Sequence, residues 1–283
     1  MGDRTKIDWC DASWNPVTGC LHGCEYCYAR GIANRFRMQE AKMTDCCSVN
    51  TEAVEIIRSP RTGDALCVLH EPYKTVKIQG PSAGARECTE PYPVGFIPTF
   101  HTYRLDIPLK WRTPRNIFVC SMADLFGEWV PDIWIDNIMG ACAVAPQHRY
   151  LFLTKNPLRY METWHKLIPK AFNNDHFWYG TTITRPDQNF AWSDEYNSFV
   201  SIEPIMEPFD FIRIGDCKEL PKWIIVGAET GNRKGKVVPK KDWIDGIIEG
   251  CKEYKIPLFM KESLRGIMGD DFVQEFPRDG ERK

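Results

Sequence analysis

The chain has 283 residues, enough for one large α/β domain or two smaller ones with a substantial core. Hydrophobic residues make up 43% and charged residues 26%, and the formal net charge of −2 lacks the cationic excess of a broad nucleic-acid-binding surface. No apolar run approaches the roughly 20 residues of a membrane span, and MGDRTKIDWC lacks the apolar core of a secretory signal, so a cytoplasmic protein with reduced thiols is expected.

The first feature in chain order is GCLHGCEYCYAR at 19–30, which gathers Cys20, Cys24 and Cys27 into one loop with Tyr26 directly before the last. Twelve cysteines in a reducing compartment argue against a disulfide framework and leave metal binding or plain buried thiols. A short strand is expected at about 16–20, and a helix after Cys27, where Ala29, Ile32, Ala33 and Phe36 share a face. Residues 41–100 then break the pattern with SPRTGD, GPSAGAREC and EPYPVG. They read as an insertion after the first helix, with one hairpin-like passage at 65–79.

From about residue 116 short apolar runs alternate with longer amphipathic stretches. The runs are NIFVCS (116–121), YLFLTK (150–155), HFWYGTTI (176–183), SFVSIEP (198–204), WIIVGAET (223–230) and IPLFMKES (256–263). Near-continuous apolarity without alternation marks strands buried on both faces. Helices fit between them. In 131–145, Pro131 suits the first turn and Ile138, Ala141, Cys142 and Ala145 share a face. In 239–254, Trp243, Ile247, Cys251 and Tyr254 follow helical spacing. The alternation predicts a parallel sheet of six or seven strands within one domain over 1–283.

Ligands of parallel α/β sheets bind beyond the carboxyl ends of the strands. The residues there are the three cysteines, Ser121 and Asp124, Lys155, Thr181 and Thr182, Ser201 and Glu203, Glu229 and Thr230, and Lys261 and Glu262. Any one of them could be a helix cap or a solvated rim. A ring of such residues opposite a three-thiol loop predicts a site. Structural zinc prefers a closed set of four ligands, whereas a [4Fe–4S] cluster held by three cysteines keeps one iron open.

The Cys-x3-Cys-x2-Cys spacing with Tyr26 before Cys27 resembles the signature of the radical S-adenosylmethionine enzymes. That resemblance implies a partial (β/α)6 TIM-like barrel of parallel strands. It also implies a [4Fe–4S] cluster on Cys20, Cys24 and Cys27, whose open iron chelates S-adenosylmethionine for reductive cleavage to a hydrogen-abstracting radical. A flavodoxin or ferredoxin is the expected electron donor. Ser121 and Asp124 occupy the position that holds the cofactor's amino group in related enzymes, with SMAD in place of the familiar GGE. Tyr26 belongs to the same cofactor-binding set, and Lys155 and Thr182 are candidates for the carboxylate or ribose.

Further landmarks resemble a radical-SAM-like family first described from bacteriophage proteins of unknown function. They are TKIDWCDASWNPVTGC (5–20), PLKWRTPRNIFVCSMADLFGEWVPD (108–132), APQHRYLFLTKNP (145–157), FVSIEPIMEP (199–208), WIIVGAETG (223–231) and IPLFMK (256–261). MKESL departs from the KQWG of the common pattern, and the long, cysteine-bearing insertion is a second departure. Within the family the chain is most similar to the queuine lyases. This implies cleavage of the exocyclic C–N bond of the free base queuine, releasing 7-aminomethyl-7-deazaguanine in queuosine salvage. For that 7-deazapurine base, Glu203 and Glu229 are the candidate acceptors for the N–H edge, with Trp14 for stacking and Asn15 beside it. Lys261 is the candidate for proton handling, with Glu203 as its catalytic companion. Each glutamate could equally be an ion-pair partner of Lys155 or Lys261.

Two other functions compete: a radical enzyme modifying a base within DNA or tRNA, and a zinc-stabilised binding module without redox chemistry. The balanced charge disfavours the first of these. Cys142 and Cys251 read as core residues, and Cys46, Cys47, Cys67 and Cys88 as ordinary thiols or ligands of a second metal in the insertion.

Overall fold

Apolar runs that must bury both faces pair side by side, and in the computed structural model of this protein they do so in parallel. The structure describes residues 5–36, 53–78, 85–167, 175–188, 196–209 and 220–277. Its elements begin with β1 (Ala12–Trp14), β2 (Val17–Thr18), α1 (Tyr28–Phe36), β3 (Glu55–Arg58), β4 (Ala65–Leu69), β5 (Lys74–Ile78), β6 (Ala85–Thr89) and β7 (Thr99–His101). There follow α2 (Ile107–Lys110), β8 (Asn116–Val119), α3 (Asp132–Ala143), β9 (Arg149–Thr154), α4 (Leu158–Leu167) and β10 (Phe177–Ile183). The last are β11 (Asn197–Ile202), β12 (Ile224–Val226), α5 (Asp242–Tyr254), β13 (Leu258–Met260) and α6 (Arg265–Met268).

The chain divides into two compact units. One comprises Met1–Ser13, Pro114–Phe118 and Pro146–Lys283, the other Trp14–Thr113 and Val119–Ala145. The first unit is built on the main sheet, whose seven strands run in the order β1-β8-β9-β10-β11-β12-β13, with β8 to β13 each parallel to their neighbours. This is a mixed α/β arrangement compatible with a TIM-like fold. On one face Val200, Ile202, Ile224, Val226, Leu258 and Met260 pack with Ile244, Ile247 and Cys251 of α5. On the other, an aromatic layer forms from Trp9, Phe118, Leu151, Trp178, Phe199, Trp223 and Phe259. Fully burying one such side chain contributes roughly 1.5–3 kcal/mol before cavity terms.

The second unit holds the thiol loop, α1, α3 and the described part of the insertion. Its sheet runs β2-β7-β4-β3, beside a separate β5–β6 hairpin. Cys142 lies on the buried face of α3, as its helical spacing predicts.

Two expectations are corrected. The strand expected at about 16–20 is present as β2, but it pairs antiparallel with β7 in the other sheet, and the strand that joins the main sheet is β1 at Ala12–Trp14. Pro16 separates the two, because it has no N–H to continue a ladder. The passage at 65–79 is not a hairpin with itself: β4 pairs with β3 and β7, and β5 with β6. Among the described residues, no helix is long and apolar enough to cross a membrane.

Gly180 of β10 lies directly against the Phe199 ring, where an added Cβ would come within 2.3 Å. Gly180→Ala is therefore expected to destabilise the protein by about 1–3 kcal/mol. Phe199→Leu in the same chain should recover part of that loss, read as the urea midpoint.

Candidate functional site

The thiol loop begins at Gly19, whose φ of +86° and close approach to Ile97 O, 2.3 Å from where a Cβ would stand, admit no other residue without strain. Gly19 N donates to Met122 O at 2.9 Å and Cys20 N to Phe96 O at 3.3 Å. At its other end, Cys27 Sγ accepts from Arg30 N at 3.4 Å, taking up one of the orphan donors in the first turn of α1. Cys20, Cys24 and Cys27 are all half-buried, and Cys20 and Cys27 pack against Ala29, Ala33, Phe96 and Met122.

A turn after β8 supports this loop. Cys120 has φ 60°, in the left-handed region that a side chain tolerates only when its surroundings enforce it. Asn15 Oδ1 accepts from Ser121 Oγ at 3.1 Å and from Met122 N at 3.0 Å. Tyr28 OH donates to Ser121 O at 2.7 Å. Asp124 Oδ1 accepts from Phe126 N at 3.0 Å, and Oδ2 lies 2.7 Å from His22 Nε2. The His22 ring meets Trp129 edge-on at 4.9 Å. Burial pushes the Cys20 thiol up to about 12; Asp124, Cys27 and Cys24 raise it further, while the His22 backbone N–H opposes the shift. A cation in the loop would reverse that shift, because metals take up cysteine as thiolate.

In the first unit, alternation along the strands sets Lys155, Thr182, Glu203 and Lys261 on the same face as the aromatic layer. Glu203 N continues the ladder by donating to Ile183 O at 3.1 Å, and Lys261 N donates to Val226 O at 2.8 Å. Lys261 lies over Gly227, where a Cβ would come within 2.9 Å of its side chain, and its Nζ donates to Glu203 Oε1. Both partners remain partly open, at 20% and 26% exposure. Glu229 is different. It takes a bidentate clamp from Arg233, at 2.7 and 2.8 Å, and accepts from Val237 N at 3.4 Å. The Arg233 hydrogen bond holds its carboxyl below the usual range against the opposing effect of burial.

The sequence-predicted residues thus sort as follows. Tyr26 is half-buried in the thiol loop; Lys155 and Thr182 are half-buried at their strand ends. Ser121 and Asp124 are drawn into the turn, with Asp124 only 6% exposed. Trp14 is fully buried, and its Nε1 donates to Arg104 O at 2.8 Å, so its ring is core in this structure. Asn15 organises the turn. Cys67 is buried in β4 with Val54, Leu69, Tyr73 and Val94, and Cys88 is half-buried in β6, while Cys46 and Cys47 lie outside the described residues. Sequence reasoning missed the His22–Asp124 contact and the Arg233 clamp. The four-residue spacing of Glu229 and Arg233 was a usable signal for the clamp; nothing local ties His22 to a residue 102 positions away.

Among the described residues no three His, Cys, Asp or Glu side chains are grouped as ligands of a single metal ion. Thiols select zinc, copper or iron–sulfur groups over hard cations, and a multi-iron cluster spaces its cysteine ligands more widely than one ion does. The donors of the loop are three half-buried thiols.

Fold and loop define an α/β protein with a three-cysteine loop ahead of the first helix. The chain belongs to a family described as protein of unknown function (DUF5131), whose pattern it matches over residues 4–74 and 82–270. No curated protein and no solved structure matches it.

The clamp on Glu229 carries a pH prediction. Its carboxyl is depressed in the folded state, so the pair's contribution is present above about pH 4.3 and lost as pH falls through the lower folded value. Arg233→Met should cost about 1–3 kcal/mol at neutral pH, since Arg233 is a quarter exposed. The gap to wild type in chemical denaturation should narrow below about pH 4.

Proposed function

We propose that this chain is a radical S-adenosylmethionine enzyme on a partial (β/α)6 barrel, acting as a lyase on the exocyclic C–N bond of queuine. The observation that carries the reading is the thiol loop itself: three half-buried cysteines at the signature spacing, with the last one set against the first turn of α1. Cys20, Cys24 and Cys27 would hold a [4Fe–4S] cluster, which with S-adenosylmethionine supplies one-electron hydrogen abstraction.

The chain's own residues have narrower tasks. Gly19 and Cys20 fix the loop by their backbone N–H groups, and the turn at 120–124 backs it. Ser121 and Asp124 support the cofactor side of the loop through Asn15 and His22. In the first unit, the Glu203 carboxylate is the acceptor for the N–H edge of a guanine-like base, because its ion pair with Lys261 is partly open. Lys261, displaced from that pair by the base, would pass a proton to the departing amine. Glu229, already satisfied by Arg233 and Val237, serves the loop that carries it.

Anaerobic reconstitution with iron and sulfide tests the class. The wild type should take up both and form 5′-deoxyadenosine with dithionite, while Cys24→Ala should do neither. A wild-type protein that binds no iron would end the radical reading.

Mass spectrometry of queuine incubations tests the substrate: queuine should disappear as 7-aminomethyl-7-deazaguanine accumulates. Glu203→Gln should slow this about tenfold or more with iron content unchanged. Persistence of queuine while 5′-deoxyadenosine accumulates would exclude it as substrate and leave the class intact.

A further inference from the structure

Arg104 ends the single-turn helix Thr102–Arg104 after β7 and is only 8% exposed. Its Nε donates to Tyr103 OH at 3.2 Å and its Nη1 to Asn15 O at 2.9 Å, and the guanidinium carbon lies 5.2 Å from the Tyr103 ring centroid. The Trp14 indole clamps its carbonyl at 2.8 Å, so the stem is fixed. A buried cation is normally paired with a carboxylate. Among the described residues Arg104 has no such partner; the groups around it are the Tyr103 and Tyr92 phenols and the Cys120 thiol.

The neighbouring histidine does not supply an anion either. His101 is held by Thr18 Oγ1 at 2.8 Å and Tyr103 OH at 3.3 Å, and burial beside Arg104 keeps it neutral. Both hydrogen bonds of the guanidinium leave its Nη2 unused. Among the described residues no group takes a hydrogen bond from Nη2. Holding the Asn15 carbonyl explains one nitrogen of Arg104. It explains neither the uncompensated charge nor the unused nitrogen.

We propose that Arg104 is the binding group of an oxyanion site in the second unit, receiving the carboxylate of a small ligand at Nη2. A monoanion matches one fixed cation among neutral groups, whereas a phosphate dianion would leave a second charge desolvated. The carboxylate could come from the methionyl end of S-adenosylmethionine, which rests on the function proposed above, or from another small acid, which does not.

Thermal melting of the full chain in sodium acetate against sodium chloride at equal ionic strength is the primary test. Acetate should raise the wild-type midpoint, Arg104→Lys should keep part of the gain, and Arg104→Met should lose it. Equal wild-type midpoints in the two salts, or an acetate gain that survives Arg104→Met, would overturn the site. If Arg104→Met does not fold, Arg104→Gln takes its place, and an acetate gain that survives it overturns the site.

Anaerobic calorimetry of the chain reconstituted with iron and sulfide, using S-adenosylmethionine and its decarboxylated analogue, then identifies the source. A wild-type preference of about tenfold for the carboxylated form, lost in Arg104→Met, assigns it to the cofactor. Equal binding of the two, with the acetate effect intact, assigns the site to a different acid. No binding of either removes the radical reading but not the oxyanion site, which the acetate comparison supports on its own.

Discussion

The thiol loop depends on one turn, the five residues from Cys120 to Asp124. Cys120 sits in the left-handed region at a cost on the order of 1–3 kcal/mol, and the strain persists because the turn is fixed from several sides. Trp14 O takes the Cys120 N–H at 2.8 Å, the Asn15 amide oxygen takes the next hydroxyl and amide, and Met122 O takes Gly19 N. His22 then reaches Asp124 from inside the loop, and Tyr28 reaches Ser121 O from the helix that follows. Residues 14 to 28 are therefore pinned to a segment a hundred residues away before any ligand is considered. That is why three cysteines on an otherwise irregular loop hold their places.

The two strand-end glutamates show how partner geometry separates a structural acid from an available one. Glu229 is almost enclosed, and Arg233 and the Val237 N–H together occupy its oxygens. Such a fully satisfied pair defines one loop conformation and leaves nothing for a ligand. Glu203 has one lysine, with both side chains still partly in water. Exchanging that lysine for the N–H groups of a ligand costs less than breaking the Glu229 clamp would, because water still reaches both side chains.

Much of the fold was legible. Near-continuous apolarity located β8 to β13, since a strand covered on both faces has no polar side to alternate. Helical spacing found α3 and α5 for the same reason in its 3.6-residue form, although Tyr254 at the end of α5 is exposed where its spacing suggested burial. What failed was pairing. The choice of β3 and β7 as partners for β4 is made by residues distant in the chain, and no turn chemistry near 70–73 reports it. At the site, the cysteine loop was legible because its information is local spacing. The roles of Asn15 and Asp124 were not, because each depends on what folding brings opposite. Arg104 was invisible: one of 36 basic residues, marked out only by the absence of an acid beside it among the described residues.

A parallel α/β sheet accommodates many chemistries, so the fold alone does not choose among them. The side chains narrow the choice in independent ways. Soft donors in the loop restrict the inorganic group to those that bind thiolate. A partly open carboxylate–ammonium pair favours a ligand presenting N–H groups together with something that can receive a proton. A buried guanidinium without a counter-ion among the described residues favours a negatively charged group of matching single charge. A zinc-stabilised module would account for the first of these and leave the guanidinium charge unexplained. The proposed radical lyase would account for the thiols and for the partly open pair, whereas the charge of Arg104 calls for an anion of its own.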